Sequence, residues 1–240
     1  MSEDGELMTR RRAILLGAAG LASVYAVPRW LLDDNNRGGV LADITGSTSA
    51  AADCVLTPEV TEGPYHIDTA LTRMDVREGQ KGVPLLLRLS VIDSTTCKAI
   101  EGADVEIWHA DAEGEYSGFD GDGGGQTATR YLRGHQKTNA NGVATFLTVF
   151  PGWYPGRSPH IHLKVYAGGN EVHTGQLFFA TALAKRVYSS KYYKSRGQGW
   201  QRNSADQIYA QAGGRSAVLR TRRRNNRHGY VGYLTIGVNA

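Results

Sequence analysis

A turn rich in proline and glycine runs directly into a strand-like segment in the stretch Phe150-Pro151-Gly152-Trp153-Tyr154-Pro155-Gly156-Arg157-Ser158-Pro159-His160-Ile161-His162-Leu163-Lys164-Val165. Residues two apart lie on the same face of a strand. The two histidines are therefore expected to project to one side, and Ile161 and Leu163 to the other. Two imidazoles on one face can bind a single metal ion, although ordinary buried or surface histidines show the same pattern.

Short strand-like segments separated by turn residues recur along the chain after Cys54. They are rich in β-branched, Leu and aromatic residues and are bounded by Gly, Asn, Asp or Pro. The segments are Leu85–Asp93, Asp104–His109, Ala144–Val149, His160–Ala167, Glu171–Ala180 and Tyr230–Val238. This spacing predicts an all-β fold, an antiparallel β-sandwich with long irregular loops and little helix.

Two turn sequences and one helical segment complete the predicted elements. Asn139-Ala140-Asn141-Gly142 and Ala167-Gly168-Gly169-Asn170 predict hairpins between neighbouring strands. Ser204–Ala212 is the best candidate for a short helix. At 240 residues, 41% of them hydrophobic, the chain suits one globular domain with appendages.

The N-terminal residues resemble an export signal. Thr9-Arg10-Arg11-Arg12 precedes a weakly apolar run from Ala13 to Val27, which is shorter than the ~20 residues of a membrane span. Paired arginines before such a run resemble a twin-arginine signal, with an uncleaved anchor as the alternative. We therefore expect an export signal at 1–30, a flexible spacer at 31–53, the β-sandwich domain at 54–240, an exported protein and no stable membrane span.

Cys54 and Cys97 are the two cysteines of the chain. In the oxidising compartment that export implies, they are expected to form a disulfide. Two thiolate metal ligands are the alternative, but neither cysteine lies in a Cys-x-x-Cys pair or beside the histidines.

Basic residues cluster near the C-terminus of a chain whose net charge is +4. They are Arg215, Arg220, Arg222, Arg223, Arg224 and Arg227. Such a run could contact an anionic surface but more often forms a solvated loop. Since no nucleic-acid-binding motif accompanies it, no nucleic-acid partner is expected.

Two tyrosines occur where they could join the histidine pair. Tyr116 follows the predicted strand Asp104–His109, and Tyr154 precedes His160 by a turn rich in proline and glycine. Zinc prefers thiolate, imidazole and carboxylate ligands, whereas two phenolates with two imidazoles favour a hard, highly charged ion such as Fe(III). Taken singly, each tyrosine could equally be a core or rim residue.

The chain resembles the intradiol ring-cleavage dioxygenases, non-haem ferric enzymes that split catechols between their two hydroxyls. The motifs that carry the resemblance, from about Cys54 to Val238, are Thr61-Glu62-Gly63-Pro64-Tyr65, Ile107-Trp108-His109-Ala110-Asp111, Gly114-Glu115-Tyr116, Pro151-Gly152-Trp153-Tyr154, His160-Ile161-His162 and Gly175-Gln176-Leu177-Phe178-Phe179. The short loop between Tyr154 and His160 is similar to that of the secreted branch of the family, which implies plant- or lignin-derived catechols as substrates.

The resemblance implies a site, a cofactor and substrates. Fe(III) would be held by Tyr116 and His160 in equatorial positions and by Tyr154 and His162 in axial positions. Tyr154 would also leave the iron and act as a base when a catechol binds, and O2 would be the second substrate. Arg157 and Gln176 match positions beside the bound substrate, with a structural ion pair as the alternative for Arg157. Tyr65 either lines the pocket entrance or packs the sandwich.

Two other functions remain open from the residues alone. A secreted, non-catalytic sandwich could bind polysaccharide or aromatic polymer through exposed rings of Trp153, Trp200, Tyr192 and Tyr193. A zinc hydrolase could use His160 and His162, but the sequence offers no obvious third ligand beside a general-base carboxylate.

Overall fold

Two four-stranded sheets pack against each other in the computed structural model, which describes residues 54–120, 126–225 and 228–240. The strands are β1 (Pro84–Asp93), β2 (Asp104–Trp108), β3 (Arg133–Lys137), β4 (Val143–Val149), β5 (His160–Ala167), β6 (Asn170–Phe178), β7 (Arg220–Arg223) and β8 (Tyr230–Val238). Two short helices, α1 (Thr181–Tyr188) and α2 (Gln207–Gln211), follow β6. The strand orders are β4-β1-β8-β7 and β3-β2-β5-β6. The predicted β-sandwich is confirmed.

The core lies between the sheets because alternate residues of the strands are apolar. Leu85, Leu87 and Leu89 of β1 meet Val105 and Ile107 of β2 in one buried cluster. The same cluster contains Ile161, Leu163 and Val165 of β5. Since successive side chains of a strand alternate between faces, His160, His162, Lys164 and Tyr166 of β5 lie on the face away from this core.

Two strands and one helix were not predicted. β3 (Arg-Gly-His-Gln-Lys) and β7 (Arg-Thr-Arg-Arg) lack the apolar alternation that marks a half-buried strand. Helix α1 went unnoticed although Leu183, Ala184, Val187 and Tyr188 form its buried face. The predicted helix at Ser204–Ala212 is shorter in the structure because the Asp206 side chain accepts hydrogen bonds from the Ile208 and Tyr209 amides and begins α2 there.

The pairing of strands departs from the prediction in two places. β1 pairs in parallel with β8, from Leu85 opposite Tyr230 to Asp93 opposite Val238, so the sandwich is not wholly antiparallel. Residues 167–170 do join β5 and β6 in an antiparallel hairpin. The hairpin predicted at 139–142 is wrong, because β3 and β4 belong to different sheets and pair with β2 and β1 respectively. That turn crosses from one sheet to the other.

The predicted disulfide between Cys54 and Cys97 is present, with the two Cα atoms 5.4 Å apart. The predicted export signal at 1–30 and spacer at 31–53 lie outside the described residues. Within the described ranges, no helix combines the length and apolar character needed to cross a bilayer.

Part of the basic C-terminal run forms a strand and not a loop. Arg220–Arg223 form β7 at the edge of one sheet, where Arg222 Nε donates a hydrogen bond to the Tyr233 hydroxyl at 3.0 Å. Arg224, directly after the strand, is buried. Charged side chains suit an edge strand because they disfavour pairing with the edge of another molecule.

The proposed exposed aromatic surface is also corrected by the structure. Tyr193 is only 1% exposed. Its hydroxyl donates to the Phe150 carbonyl at 2.6 Å and accepts from the Val83 amide at 3.1 Å, so the phenol is satisfied without water. Trp153, Tyr192 and Trp200 are partly buried and pack against the main core. These four rings therefore do not form an exposed surface on which sugar or aromatic rings could stack.

Acid is expected to destabilise the fold through His109, which is 1% exposed. Its Nδ1 donates to the Ala110 carbonyl at 2.8 Å, and its Nε2 accepts from the Thr148 hydroxyl at 2.7 Å. Burial lowers the pKa of His109 from 6.5 to about 4. Between pH 6.5 and pH 4, His109 is therefore protonated in the unfolded chain but neutral in the folded protein. The stability that this group contributes is present above about pH 6.5 and is lost as the pH falls toward 4.

Between pH 7 and pH 5, the titration of His109 is expected to lower the free energy of unfolding by about 2 kcal/mol. Urea unfolding of the metal-free protein at both pH values measures it. His109→Gln should reduce the difference between the two pH values, because glutamine does not titrate. His228→Gln, at an exposed position, is the control and should leave the difference unchanged. An unchanged pH dependence in His109→Gln would assign acid sensitivity to other groups.

Candidate metal centre

The two histidines of β5 project from the same face, as their spacing predicts. His160 is 3% exposed and His162 is 2% exposed. Their Nε2 atoms lie 3.1 Å apart. Ile161 and Leu163 point into the core on the other side.

Two phenol oxygens lie beside these nitrogens. The Tyr116 hydroxyl is 2.9 Å from His162 Nε2 and 3.4 Å from His160 Nε2. The Tyr154 hydroxyl is 3.0 Å from His160 Nε2, and the two phenol oxygens are 3.5 Å apart. The structure thus brings together all four predicted metal ligands, from positions as far apart as 116 and 162.

A close backbone contact brings the two tyrosine-bearing loops together. The Gly152 amide donates to the Asp111 carbonyl at 2.8 Å. A Cβ atom at Gly152 would lie 2.2 Å from that carbonyl oxygen, so no larger residue could take this position without moving the backbone. Gly152 therefore allows the turn carrying Tyr154 to pack on the turn carrying Tyr116.

The protonation of the histidines suits metal binding. His160 Nδ1 lies 2.6 Å from the Ser158 carbonyl, which can only accept, so Nδ1 carries the hydrogen and Nε2 presents its lone pair. Burial, reinforced by the charge of Arg157, lowers the pKa of His160 to about 3. Burial and the neighbouring His160 lower the pKa of His162 well below its usual value. Both imidazoles are therefore neutral, as metal ligands must be.

Burial makes free phenolates unfavourable at this place. It raises the pKa of Tyr116 well above its usual value, with a further contribution from Tyr154. It also raises the pKa of Tyr154. A bound cation would reverse this preference, because a metal ion stabilises the ionised form of its ligands. The chemistry of the donor set therefore fits a hard cation that accepts phenolate oxygen.

Aromatic side chains pack around this centre. The Trp108 ring stacks on the His162 imidazole, with centroids 4.9 Å apart and planes inclined by 11°. Tyr65 stacks on Tyr116 at 4.4 Å with planes inclined by 11°, and its edge meets Tyr154 at 6.3 Å. Tyr65 is partly exposed, so it lies at the rim and also packs against a predicted ligand. Its stacking on Tyr116 fits the packing role left open by the sequence, and its role at a pocket entrance stays a prediction.

Arg157 and Gln176 border the histidine pair. Arg157 Nη1 lies 3.3 Å from His160 Nε2, while Nη2 donates to Gln176 Oε1 at 2.5 Å. Gln176 Nε2 in turn donates to the Thr61 carbonyl at 2.9 Å. Arg157 also forms an ion pair with Asp206. The side chain therefore makes the structural ion pair that the sequence left as an alternative, and it also lies beside the histidine pair.

The sequence reasoning missed Asp206, Ser158 and the stacking role of Trp108. Asp206 could have been recognised as a helix N-cap, but no local signal places it beside Arg157, 49 positions earlier. Among the described residues, no three His, Cys, Asp or Glu side chains form a group that could hold a metal ion.

Comparison with known proteins identifies the family of this chain. The family model described as "Dioxygenase" matches residues 56–185, which is more than half of the chain. The solved structure of an intradiol ring-cleavage dioxygenase from Tetranychus urticae is 36% identical and covers 78% of this chain and 95% of its own, with a TM-score of 0.74. The chain belongs to the intradiol ring-cleavage dioxygenase family.

Two further relatives share a smaller part of their sequence with this chain. The dioxygenase domain of a carbohydrate-binding fusion protein from Streptomyces sp. SirexAA-E is 29% identical over 78% of this chain and 99% of that domain, with a TM-score of 0.57. A chlorocatechol 1,2-dioxygenase from Cupriavidus pinatubonensis is 27% identical over 51% of this chain and 54% of its own length. This intradiol-family chain therefore spans about half the length of that curated relative.

Proposed function

We propose that the protein is a non-haem Fe(III) dioxygenase that cleaves catecholic rings between their two hydroxyls. Both atoms of O2 would enter the product, a muconate-type dicarboxylate. The observation that carries the proposal is the cluster of two phenol oxygens and two imidazole nitrogens on one buried sheet face, with neighbouring donor atoms 2.9–3.5 Å apart. Membership of an iron-dependent family supports it.

Tyr116, Tyr154, His160 and His162 would hold the iron. When bound, ferric iron supplies a Lewis acid that draws electron density from a catecholate and makes its ring reactive toward O2. A donor set of two phenolates and two neutral imidazoles stabilises the ferric state over the ferrous one. Exclusion of water by the buried histidines and Tyr116 strengthens these electrostatic interactions.

The two tyrosines are expected to have different roles because their exposure differs. Tyr116 is 5% exposed and is covered by Tyr65. Tyr154 is partly exposed and lies in the turn that follows Pro151. We assign to the Tyr154 phenol oxygen the uptake of one proton from the incoming diol, since a group at the rim can separate from the cluster with less repacking.

Arg157 contributes positive charge next to the reacting atoms. The Arg157 guanidinium is planar and carries a delocalised positive charge, and its Nη1 lies 3.3 Å from His160 Nε2. It can stabilise negative charge that develops on the substrate and on oxygen. Gln176 supports it, because the Gln176 carbonyl accepts from Arg157 while the amide nitrogen is fixed by the Thr61 carbonyl.

The proposed location is outside the cytoplasm. A disulfide between Cys54 and Cys97 suits an oxidising compartment. We accordingly keep residues 1–30 as a twin-arginine-like signal, 31–53 as a spacer and 54–240 as the catalytic domain. Substrates found in that setting would be small plant- or lignin-derived catechols.

Oxygen-electrode assays of the purified full chain, loaded with ferric iron, test the reaction. Catechol, protocatechuate, caffeate and hydroxyquinol are the substrates to compare, and mass spectrometry of the product with labelled O2 counts the oxygen atoms gained. We expect a reddish protein, since tyrosinate bound to ferric iron absorbs visible light, and a product that gains two oxygen atoms. Zinc-loaded protein is the control and should be colourless and inactive. Iron-loaded protein that is colourless and consumes no oxygen would overturn the proposal.

A further inference from the structure

Asp206 is a buried carboxylate surrounded by hydrogen-bond donors. Its side chain is 1% exposed. One oxygen, Oδ2, accepts from Arg157 Nε at 3.0 Å, the Ser158 amide at 2.8 Å and the Ser158 hydroxyl at 2.9 Å. The other, Oδ1, accepts from the Ile208 amide at 2.9 Å and the Tyr209 amide at 3.3 Å. Asp206 therefore joins the start of α2 to the turn that carries Arg157.

The ion pair fixes the direction of the Arg157 guanidinium. With Nε held by Asp206 and Nη2 held by Gln176, the remaining Nη1 faces His160 Nε2. The Arg157 side chain is 18% exposed, so without a partner its long side chain could swing toward solvent. Because Nε and Nη2 are both held by hydrogen bonds, the planar guanidinium group has a single orientation.

We propose that Asp206 is a positioning residue that holds Arg157 in its reactive orientation beside the iron site. This inference rests on the proposed function, because it assigns Arg157 a role in that reaction. Asp206 acts through Arg157 and is not itself placed against substrate. Binding sites require such support, since a displacement of about 1 Å can lower a rate on the order of 100-fold.

The donors around Asp206 define which substitutions are informative. Both carboxylate oxygens of Asp206 accept hydrogen bonds. In Asp206→Asn an NH2 group replaces one of these oxygens, and in either orientation of the amide it would face other donors. Asp206→Ser keeps an oxygen that can cap α2, but it is too short to reach Arg157 as well. The serine variant thus retains the helix cap and removes the ion pair together with the two hydrogen bonds from Ser158. Asp93→Asn is a matched control, because Asp93 accepts hydrogen bonds from Thr95 and Thr96 in a turn on another part of the chain.

A double-mutant cycle with Arg157→Gln tests the inference in the iron-loaded full chain. Asp206→Ser should lower kcat/KM for oxygen uptake with catechol by about 10- to 100-fold in the native background. In the Arg157→Gln background the same change should alter kcat/KM less than about 2-fold. Asp93→Asn should leave kcat/KM within about 2-fold. An equal loss in both backgrounds, or no loss in the native background, would overturn the inference.

A second measurement does not depend on iron or turnover. In the metal-free protein, the Arg157 Nε–H group should give a slowly exchanging NMR resonance that is lost in Asp206→Ser and retained in Asp93→Asn. Persistence of that resonance in Asp206→Ser would overturn the inference, and it decides the matter if Arg157→Gln leaves no measurable rate. A native protein that holds no iron and consumes no oxygen would instead defeat the proposed function.

Discussion

Replacing His162 by alanine is expected to abolish the visible absorption of the iron-loaded protein and to lower oxygen uptake with catechol by more than about 100-fold, the upper end of the loss seen when residues that only support a metal ligand are changed. The substitution removes one of four clustered donors and leaves a void under Trp108, which stacks on the imidazole. Iron per protein chain, visible absorption and the rate at an oxygen electrode measure the effect. Tyr116→Phe should cause a similar loss by removing only the phenol oxygen.

His173→Ala is the matched control for this prediction. His173 is 1% exposed and lies on β6, the strand next to β5. It pairs with Val165, which points into the core, so its side chain lies on the opposite face of the sheet from the metal centre. This variant should lose stability but retain iron and colour. Stoichiometric iron and undiminished colour in His162→Ala would show that the cluster does not bind the metal.

Removing the disulfide by Cys54→Ser with Cys97→Ser is expected to lower the free energy of unfolding by about 4 kcal/mol. The bond closes a loop with a sequence separation of 43, and opening it restores conformational entropy to the unfolded chain. It also ties the start of the described domain to the turn after β1. Urea unfolding of the native and double-serine proteins measures the difference.

A reducing agent provides the control for the disulfide prediction. It should destabilise the native protein by a similar amount and leave the double-serine protein unchanged. A double-serine protein as stable as the oxidised native protein would show that the bond constrains the unfolded chain little. Metal binding should be compared in both proteins, because a bound ligand raises apparent stability.

Side-chain alternation made much of the fold and the candidate site predictable. The predicted bounds of β5 match the structure, and its period of two placed both histidines on one face and Ile161 on the other. The chemistry of the candidate ligands likewise limited the choice of metal ion, because phenol and imidazole groups together favour a ferric ion. Alternation and ligand chemistry are both properties of short segments, in which the surroundings of each residue are set by its own strand or loop.

The two missed strands share a physical cause. β3 and β7 are polar and lack the apolar alternation that marks a half-buried strand, so local composition does not reveal them. Their backbone groups pair with β2 and β8 respectively. Tyr193 was expected to be exposed, but it can be buried because two backbone groups satisfy its hydroxyl. The availability of such partners depends on how distant segments pack.

The amino-acid sequence by itself determined the β-sandwich class, most of the strands, the shared face of the histidine pair and the family. The tertiary structure alone decided that β1 lies parallel to β8, that Trp108 stacks on His162 and that Asp206 holds Arg157. The first set follows from periodicity and local chemistry within single segments. The second depends on which distant segments come into contact, and that is decided by burying the apolar faces together while pairing the great majority of buried polar groups.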